Sequence, residues 1–426
     1  MTQRQDKRKR SWISNNIASP YGLAAISYAF FLFACLIPPS FYSHYMGEPD
    51  LMFLDPATIL FYTLCVLSFA GGALLISWLF PATLTDCRYD IKISPTIFIL
   101  TPLISAVIVS TIASVYLITH YPVLLLSLLS GQGGDVKNTI AFDISGRFAI
   151  IPLGLIGITW WSYWRYGAVR LNVWGRRFVK ISVLVSILAM IAVSIVTLSR
   201  NTLMLGICGM MILFALKVGL KRQLNVRLVV LWGALFAIIV SLLFIGFAFL
   251  SGTVSWDEQI STLFGYTVAS YNRLAAVVNG RLHYPFSGHG IYLSDIVAHS
   301  RLLRLGKTVQ TPSPLDVWGS EFSAVSNAGL DDRLIWSGAF GYIFSELHWW
   351  ACFFIFGYGI LYGTVWTWMK RGRVAGILLY PCFGFSILFW LGSNFLLNEP
   401  LEIVICLCVI LAIYEAIFVK TTIYLD

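Results

Sequence analysis

The chain has 426 residues, of which 58% are hydrophobic and only 12% charged, with a mean hydropathy of +0.79. Its 29 Lys and Arg outnumber its 20 Asp and Glu, for a formal net charge of +9. Such a composition excludes an ordinary soluble domain, and because the basic residues fall in loops between apolar runs it also excludes a nucleic-acid interface.

A helix that crosses a hydrocarbon core of ~30 Å needs roughly 20 apolar residues. About ten such runs follow one another, at 20–38, 57–80, 96–119, 148–164, 181–198, 203–219, 228–250, 340–368, 374–394 and 401–418. Backbone groups in lipid must be satisfied internally, so each run is predicted as a helix. The first run is too long for a cleaved signal peptide and is continued by others. The expected fold class is an all-α polytopic membrane protein, a single integral membrane domain over residues 1–426. A basic cytoplasmic tail occupies 1–19, and a large, partly helical extracytoplasmic loop occupies 251–336 between helices 7 and 8.

The distribution of charge sets the expected orientation. With both termini cytoplasmic, the inner segments take 20 of the 29 basic residues and five of the 20 acids. They therefore carry +15, and the outer segments −6, of the formal +9. That asymmetry follows the positive-inside rule. All six histidines, His44, His120, His283, His289, His299 and His348, fall outside. Of the eight cysteines, seven lie in apolar runs and Cys87 lies in an inner loop, so no outer disulfide framework is expected.

The outer loop at 251–336 is rich in Leu, Ile, Tyr, Trp and Phe, which argues for structure rather than disorder. Residues 256–282 read as an amphipathic helix with Ile260, Leu263, Phe264, Val268, Tyr271, Leu274 and Val278 on one stripe. Residues 293–306 read as a second, with Ile296, Val297 and Leu302 opposite His299, Arg301 and Arg304. Pro312, Pro314 and Gly319 then break the chain.

Candidate chemistry concentrates on this outer side. Arg200 sits at a very short turn between two apolar runs, either as a snorkelling anchor or as an anion-binding group. Arg273 and Arg281, eight residues apart, come close to one helix face, and Arg suits bidentate phosphate contacts. The competing reading is a solvated charged face. His283 is either a base or a satisfied loop histidine, and His289, between Gly288 and Gly290, reads as a turn with exposed reach. Glu346 and His348 stand beside Trp349 and Trp350 at the outer start of a long helix, as functional groups or as an interfacial cap. Trp318, Tyr292 and Trp336 offer aromatic surfaces suited to sugar rings or to the membrane interface. No HExxH, P-loop, GxSxG or DxD motif occurs, and neither a metal nor another cofactor is expected.

The order of these features resembles a known family. An outer Ser199-Arg200 turn is followed by an inner basic hairpin, another helix, then a long outer loop with Tyr266, Tyr271 and Arg273. After it, Ser337-Gly338-Ala339-Phe340-Gly341-Tyr342 leads to Glu346. Residues 180–370 are similar in this to Wzy-type oligosaccharide repeat-unit (O-antigen) polymerases, although such families carry Asp where this chain has Glu346. The resemblance implies a GT-C-like fold in the bacterial inner membrane. It also implies a metal-independent glycosyltransferase that joins undecaprenyl-diphosphate-linked oligosaccharides at the outer face. Its partners would be that lipid-linked oligosaccharide, the bilayer, and chain-length regulator and flippase proteins, with no nucleic acid. Arg200, Arg273 and Arg281 would hold the diphosphate, Glu346 or His283 would act as base, and His289, His348, Trp318 and Tyr292 would contact glycan. An O-antigen ligase is the nearest alternative. A lipid-linked glycan transporter or flippase is another, but Glu402 and Glu415 lie near opposite ends of the last helix and the central turns carry no charge.

Overall fold

A computed structural model describes residues 17–84, 86–120, 150–196, 200–221, 256–293, 314–392 and 399–425. The predicted runs at 228–250 and 293–306, and with them Arg301, Arg304 and His299, fall outside the described residues or nearly so, as does most of the basic tail at 1–19.

The chain opens with α1 (Pro20–Cys35), whose first turn is capped by Ser19, the hydroxyl accepting from the Gly22 amide at 3.1 Å. Pro38 and Pro39 follow within four residues and cannot continue the α1 ladder. The chain therefore turns by 93° into α2 (Pro39–Met46), which ends on Gly47 at φ 67°. Then come α3 (Pro56–Leu79), capped by Asp55, β1 (Asp86–Ile91) and α4 (Pro95–His120). The middle of the chain holds α5 (Ile150–Tyr166), α6 (Val173–Val196) and α7 (Arg200–Lys221). The 256–282 stripe is two helices, α8 (Trp256–Thr267) and α9 (Ala269–Val278), hinged at Val268. They precede α10 (Pro314–Asn327) and α11 (Gly338–Leu347). A 3₁₀ turn at His348–Trp350 leads to α12 (Ala351–Lys370), α13 (Val374–Leu388), α14 (Glu399–Phe418) and β2 (Val419–Leu425).

The protein is thus mostly helical. Among the described residues four spans are long and apolar enough to cross a membrane: Pro56–Leu79, Pro95–His120, Gly338–Lys370 and Leu401–Phe418. The bent pair α1 and α2 makes a fifth if counted as one span, and Thr202–Val218 and Val374–Leu388 are shorter apolar helices. Helix α6 starts eight residues before its apolar run, so Arg176, Arg177 and Lys180 stand in its opening turns. Large apolar side chains such as Leu67, Trp78, Ile112, Leu188, Phe353 and Ile410 are exposed on these helices, as lipid contact requires.

The helices agree with the expected all-α class, and one small ribbon is added to them. Strands β1 and β2 form a two-stranded antiparallel ribbon, with Asp86 opposite Leu425 and Tyr89 opposite Thr422. The β-branched run Thr421-Thr422-Ile423 suits an extended edge. The ribbon is fastened by the Tyr89 amide to the Ala168 carbonyl at 2.9 Å and by the Lys92 amide to the Phe418 carbonyl at 2.8 Å. It brings the loop after α3 and the segment after α14 to one end of the helices. At that end Arg165 makes a bidentate pair with Glu415, at 2.6 and 2.9 Å, and also donates to the Tyr89 hydroxyl at 2.6 Å.

Helices α3 and α12 make the closest helix contact that positions the opposite end. Gly72 of α3 lies against the backbone at Phe356, while Gly359 and Gly363 of α12 lie against the backbone at Phe69 and Ala73. A Cβ at any of the three would collide with the partner helix, the packing that small residues at four-residue spacing permit in lipid.

Candidate functional site

At the end of the helices away from the ribbon, α8 to α11 and the loop at 47–55 pack together. The deepest element of this assembly is an ion pair. Arg273 on α9 and Glu48 on the first loop are both buried, at 0% and 5% exposure. The guanidinium grips the carboxylate through Nη1 to Oε1 at 2.9 Å and Nη2 to Oε2 at 2.8 Å. Its remaining N–H groups donate to the carbonyls of Ala269 at 3.0 Å, Asp331 at 2.7 Å and Leu334. All five donors of Arg273 are therefore taken. Glu48 accepts in addition from the Tyr42 hydroxyl, the Asn272 amide at 3.0 Å and the Asp331 backbone at 2.7 Å. The expectation that Arg273 grips a diphosphate alongside Arg281 is corrected on this point. The arginine ties α9 to the first loop and to the stretch 331–334, and no donor is left for a ligand.

Glu346 is engaged in the same manner. It stands in the last turn of α11, and its carboxylate accepts from three backbone amides of one loop: Gly288 at 2.6 Å, Gly290 at 3.0 Å and Tyr292 at 3.1 Å. Gly288 and Gly290 take φ of 86° and 76°, values that a side chain would disfavour. They curl the chain so that its amides converge on one anion. The expected base is thus a clamp that fixes the position of His289, the residue between the two glycines. His348 follows one residue after the helix at φ 50°, a left-handed position that breaks α11 from α12, and its ring meets Phe344 edge-on at 5.4 Å.

Beneath the clamped loop lies a group of tyrosines. The rings of Tyr284, Tyr292 and Tyr342 are 4.8 to 5.4 Å apart, centroid to centroid. The Tyr284 hydroxyl donates to the Ile335 carbonyl at 2.6 Å. Glu321 of α10 faces this group, with 6% of its surface exposed. Burial pushes its carboxyl up from the usual carboxylate range to about 7, while the Tyr292 hydroxyl pulls it the other way. No cation acts on it among the described residues. Burial likewise pushes the Tyr284 and Tyr292 phenols up, and the Glu321 charge adds to both shifts.

Glu321 is a residue of the long loop to which sequence reasoning gave no role, although a signal existed. Val317, Glu321 and Val325 recur at four-residue spacing in α10 and all three are buried. An acid at the centre of such a stripe is expensive unless it is used.

The remaining expected residues divide clearly. Arg281, His283 and His289 are exposed on the segment that runs from the end of α9 through the clamped loop. Tyr292 is buried in the tyrosine group, and Trp336 packs on Tyr266 at 5.6 Å. Arg200 is the first residue of α7 and Trp318 lies on α10, but the side chains of both fall outside the described residues. Among the described residues no three His, Cys, Asp or Glu come together as a metal site would require. Compared with known proteins, the chain matches no family model, no curated protein and no solved structure.

Proposed function

We propose that this chain is a glycosyltransferase of the repeat-unit polymerase kind, with a GT-C-like arrangement of about ten spans in a bacterial inner membrane. It would transfer a growing oligosaccharide from undecaprenyl diphosphate onto a second lipid-linked repeat unit at the outer face. The observation that carries this reading is the loop at 281–292. It leaves Arg281, His283 and His289 exposed while Glu346 holds its backbone through three amides. A lipid diphosphate leaving group needs cations preorganised where negative charge develops. Arg281 is a free-standing candidate for that role, and Arg200 is a second one from the start of α7. His283 and His289 would bond sugar hydroxyls. Arg273 and Glu346 would serve by position, since every donor of Arg273 is taken inside the fold and Glu346 holds three amides of the loop.

The experiment uses a strain whose surface glycan stops at single repeat units because its own polymerase is deleted. Supplying this chain should restore a ladder of longer chains. Arg200→Lys keeps the charge but loses the planar fork, so it should shorten the ladder nearly as much as Arg200→Ala. Loss of one such donor lowers the rate by roughly 10²–10³. Single repeat units in the presence of membrane-inserted wild-type chain and lipid-linked substrate would refute the polymerase reading. Full-length ladders with Arg200→Lys would move the diphosphate to Arg281.

A further inference from the structure

We propose that Glu321 is the proton acceptor of the transfer, taking the hydrogen of the attacking sugar hydroxyl, with Tyr292 as its orienting partner. The inference rests on the polymerase reading and names the base within it.

Three observations support the assignment. First, Glu48 is saturated by a guanidinium, a hydroxyl and two N–H groups and Glu346 accepts three backbone amides, whereas no N–H or cation engages Glu321 among the described residues. Second, the Tyr292 hydroxyl is buried and faces the Glu321 carboxyl, yet it closes no well-formed hydrogen bond as the molecule stands. A buried hydroxyl left in that state can complete its bond on Glu321 or on a polar ligand. Third, Tyr292 belongs to the loop held by Glu346, so the wall over Glu321 is the same segment that exposes His289. In this proposal acceptor and base would meet at one segment, whose curled backbone is set by Gly288 and Gly290.

The charge environment agrees. Among the described residues the groups that face Glu321 are Tyr284 and Tyr292 from the loop after α9 and Tyr342 from α11, all neutral phenols. With its carboxyl at about 7, Glu321 is ionised in a useful fraction near neutral pH and still basic enough to accept a proton. In the step itself, the acceptor oxygen forms a bond to the anomeric carbon of the donor sugar. The bond from that carbon to the diphosphate oxygen breaks, and its electron pair leaves with the lipid diphosphate. The hydroxyl proton passes to Glu321, which later releases it to water.

The test is the pH dependence of chain extension by the full chain in lipid nanodiscs with purified lipid-linked repeat units. Wild type should lose activity as pH falls through about 7. Glu321→Gln, which keeps the shape, should lose roughly 10²–10⁴ in rate together with that acidic limb. Glu321→Asp should restore part of the rate and the limb, which a purely structural role would not require. In Tyr292→Phe the hydroxyl that lowers the carboxyl is gone, so the limb should move to higher pH. Binding of sugar-free undecaprenyl diphosphate, read by fluorescence, should be unchanged in all three. An active wild type beside Glu321→Gln of equal rate and equal pH profile refutes the role of Glu321 alone. A wild type that extends nothing at any pH refutes the polymerase reading and the base with it.

Discussion

Glu321 should reduce the stability of the protein it serves, and the pH dependence of that effect is a measurement independent of any substrate. In the unfolded chain its carboxyl titrates near 4.5, and in the fold near 7. Below the lower value it is protonated in both states and makes no difference. As pH rises between the two values, only the unfolded chain ionises and gains by it, so the fold loses stability. Above the higher value both states are ionised and the loss levels off. Each pH unit separating the two titrations is worth about 1.4 kcal/mol, which puts the plateau at roughly 3 kcal/mol. Glu321→Gln removes the titration and keeps the volume. The variant should match wild type near pH 4.5 and become progressively more stable than it toward pH 8. For a chain of 426 residues the ratio falls to about 1–2 °C per kcal/mol, so the difference is on the order of 3–6 °C. The assay is the thermal loss of monodisperse protein in detergent, followed by size exclusion at a fixed heating rate across that pH range. A constant difference between the two proteins from pH 4.5 to 8 would show that the carboxyl is not displaced, and the reasoning above would fail.

Glu48→Gln leaves the fully buried Arg273 without a counter-charge and should lower stability by about 3–5 kcal/mol, read by the same thermal assay. The double variant Glu48→Leu with Arg273→Met should recover much of that loss, and additive losses would show that the pair is not coupled. Glu346→Gln replaces a carboxylate that accepts three amides, so amide exchange at 288–292 should accelerate by an amount equal to roughly 1–3 kcal/mol of lost protection. Unchanged exchange there would remove Glu346 as the clamp. A cysteine at Ser326, which is exposed on α10, should be labelled by an impermeant thiol reagent on intact spheroplasts, whereas one at exposed Arg371 should not. Labelling at Arg371 alone would invert the orientation taken from the charge distribution.

Apolar helices were the most readable part of the chain, because a run of twenty residues that must satisfy its own backbone has few alternatives. What stayed hidden depends on partners far apart in sequence. The ribbon pairs Asp86 with Leu425, and neither strand alternates strongly enough to be recognised alone. The break at His348 lies inside the apolar run predicted at 340–368 and shows only as a backbone angle. Arg273 reads as an outward cation until Glu48, 225 residues earlier, is seen to neutralise it. Glu346 reads as a base for the same reason: main-chain amides carry no sequence signature, so their gathering around a carboxylate is invisible before folding. Arg281, His283 and His289 are exposed on the long loop, where polar residues among glycines and a proline have no apolar face to hide in. Glu321 was passed over because a single acid in an amphipathic helix resembles its solvated face.

The two clamping carboxylates and Glu321 belong to one arrangement. Glu48 fixes α9 and the stretch 331–334, from which Ile335 receives the Tyr284 hydroxyl. Glu346 fixes the loop that ends at Tyr292. Tyr284 and Tyr292 are the two phenols of the loop that meet Glu321, so each clamp sets one wall of its surroundings. A carboxyl displaced to about 7 needs such walls, because a flexible polar neighbour or an admitted cation would return it to the ordinary range. Loosening either clamp should therefore act on the proposed transfer through Glu321, by lowering the pH at which it ionises, before it acts on any direct contact with substrate.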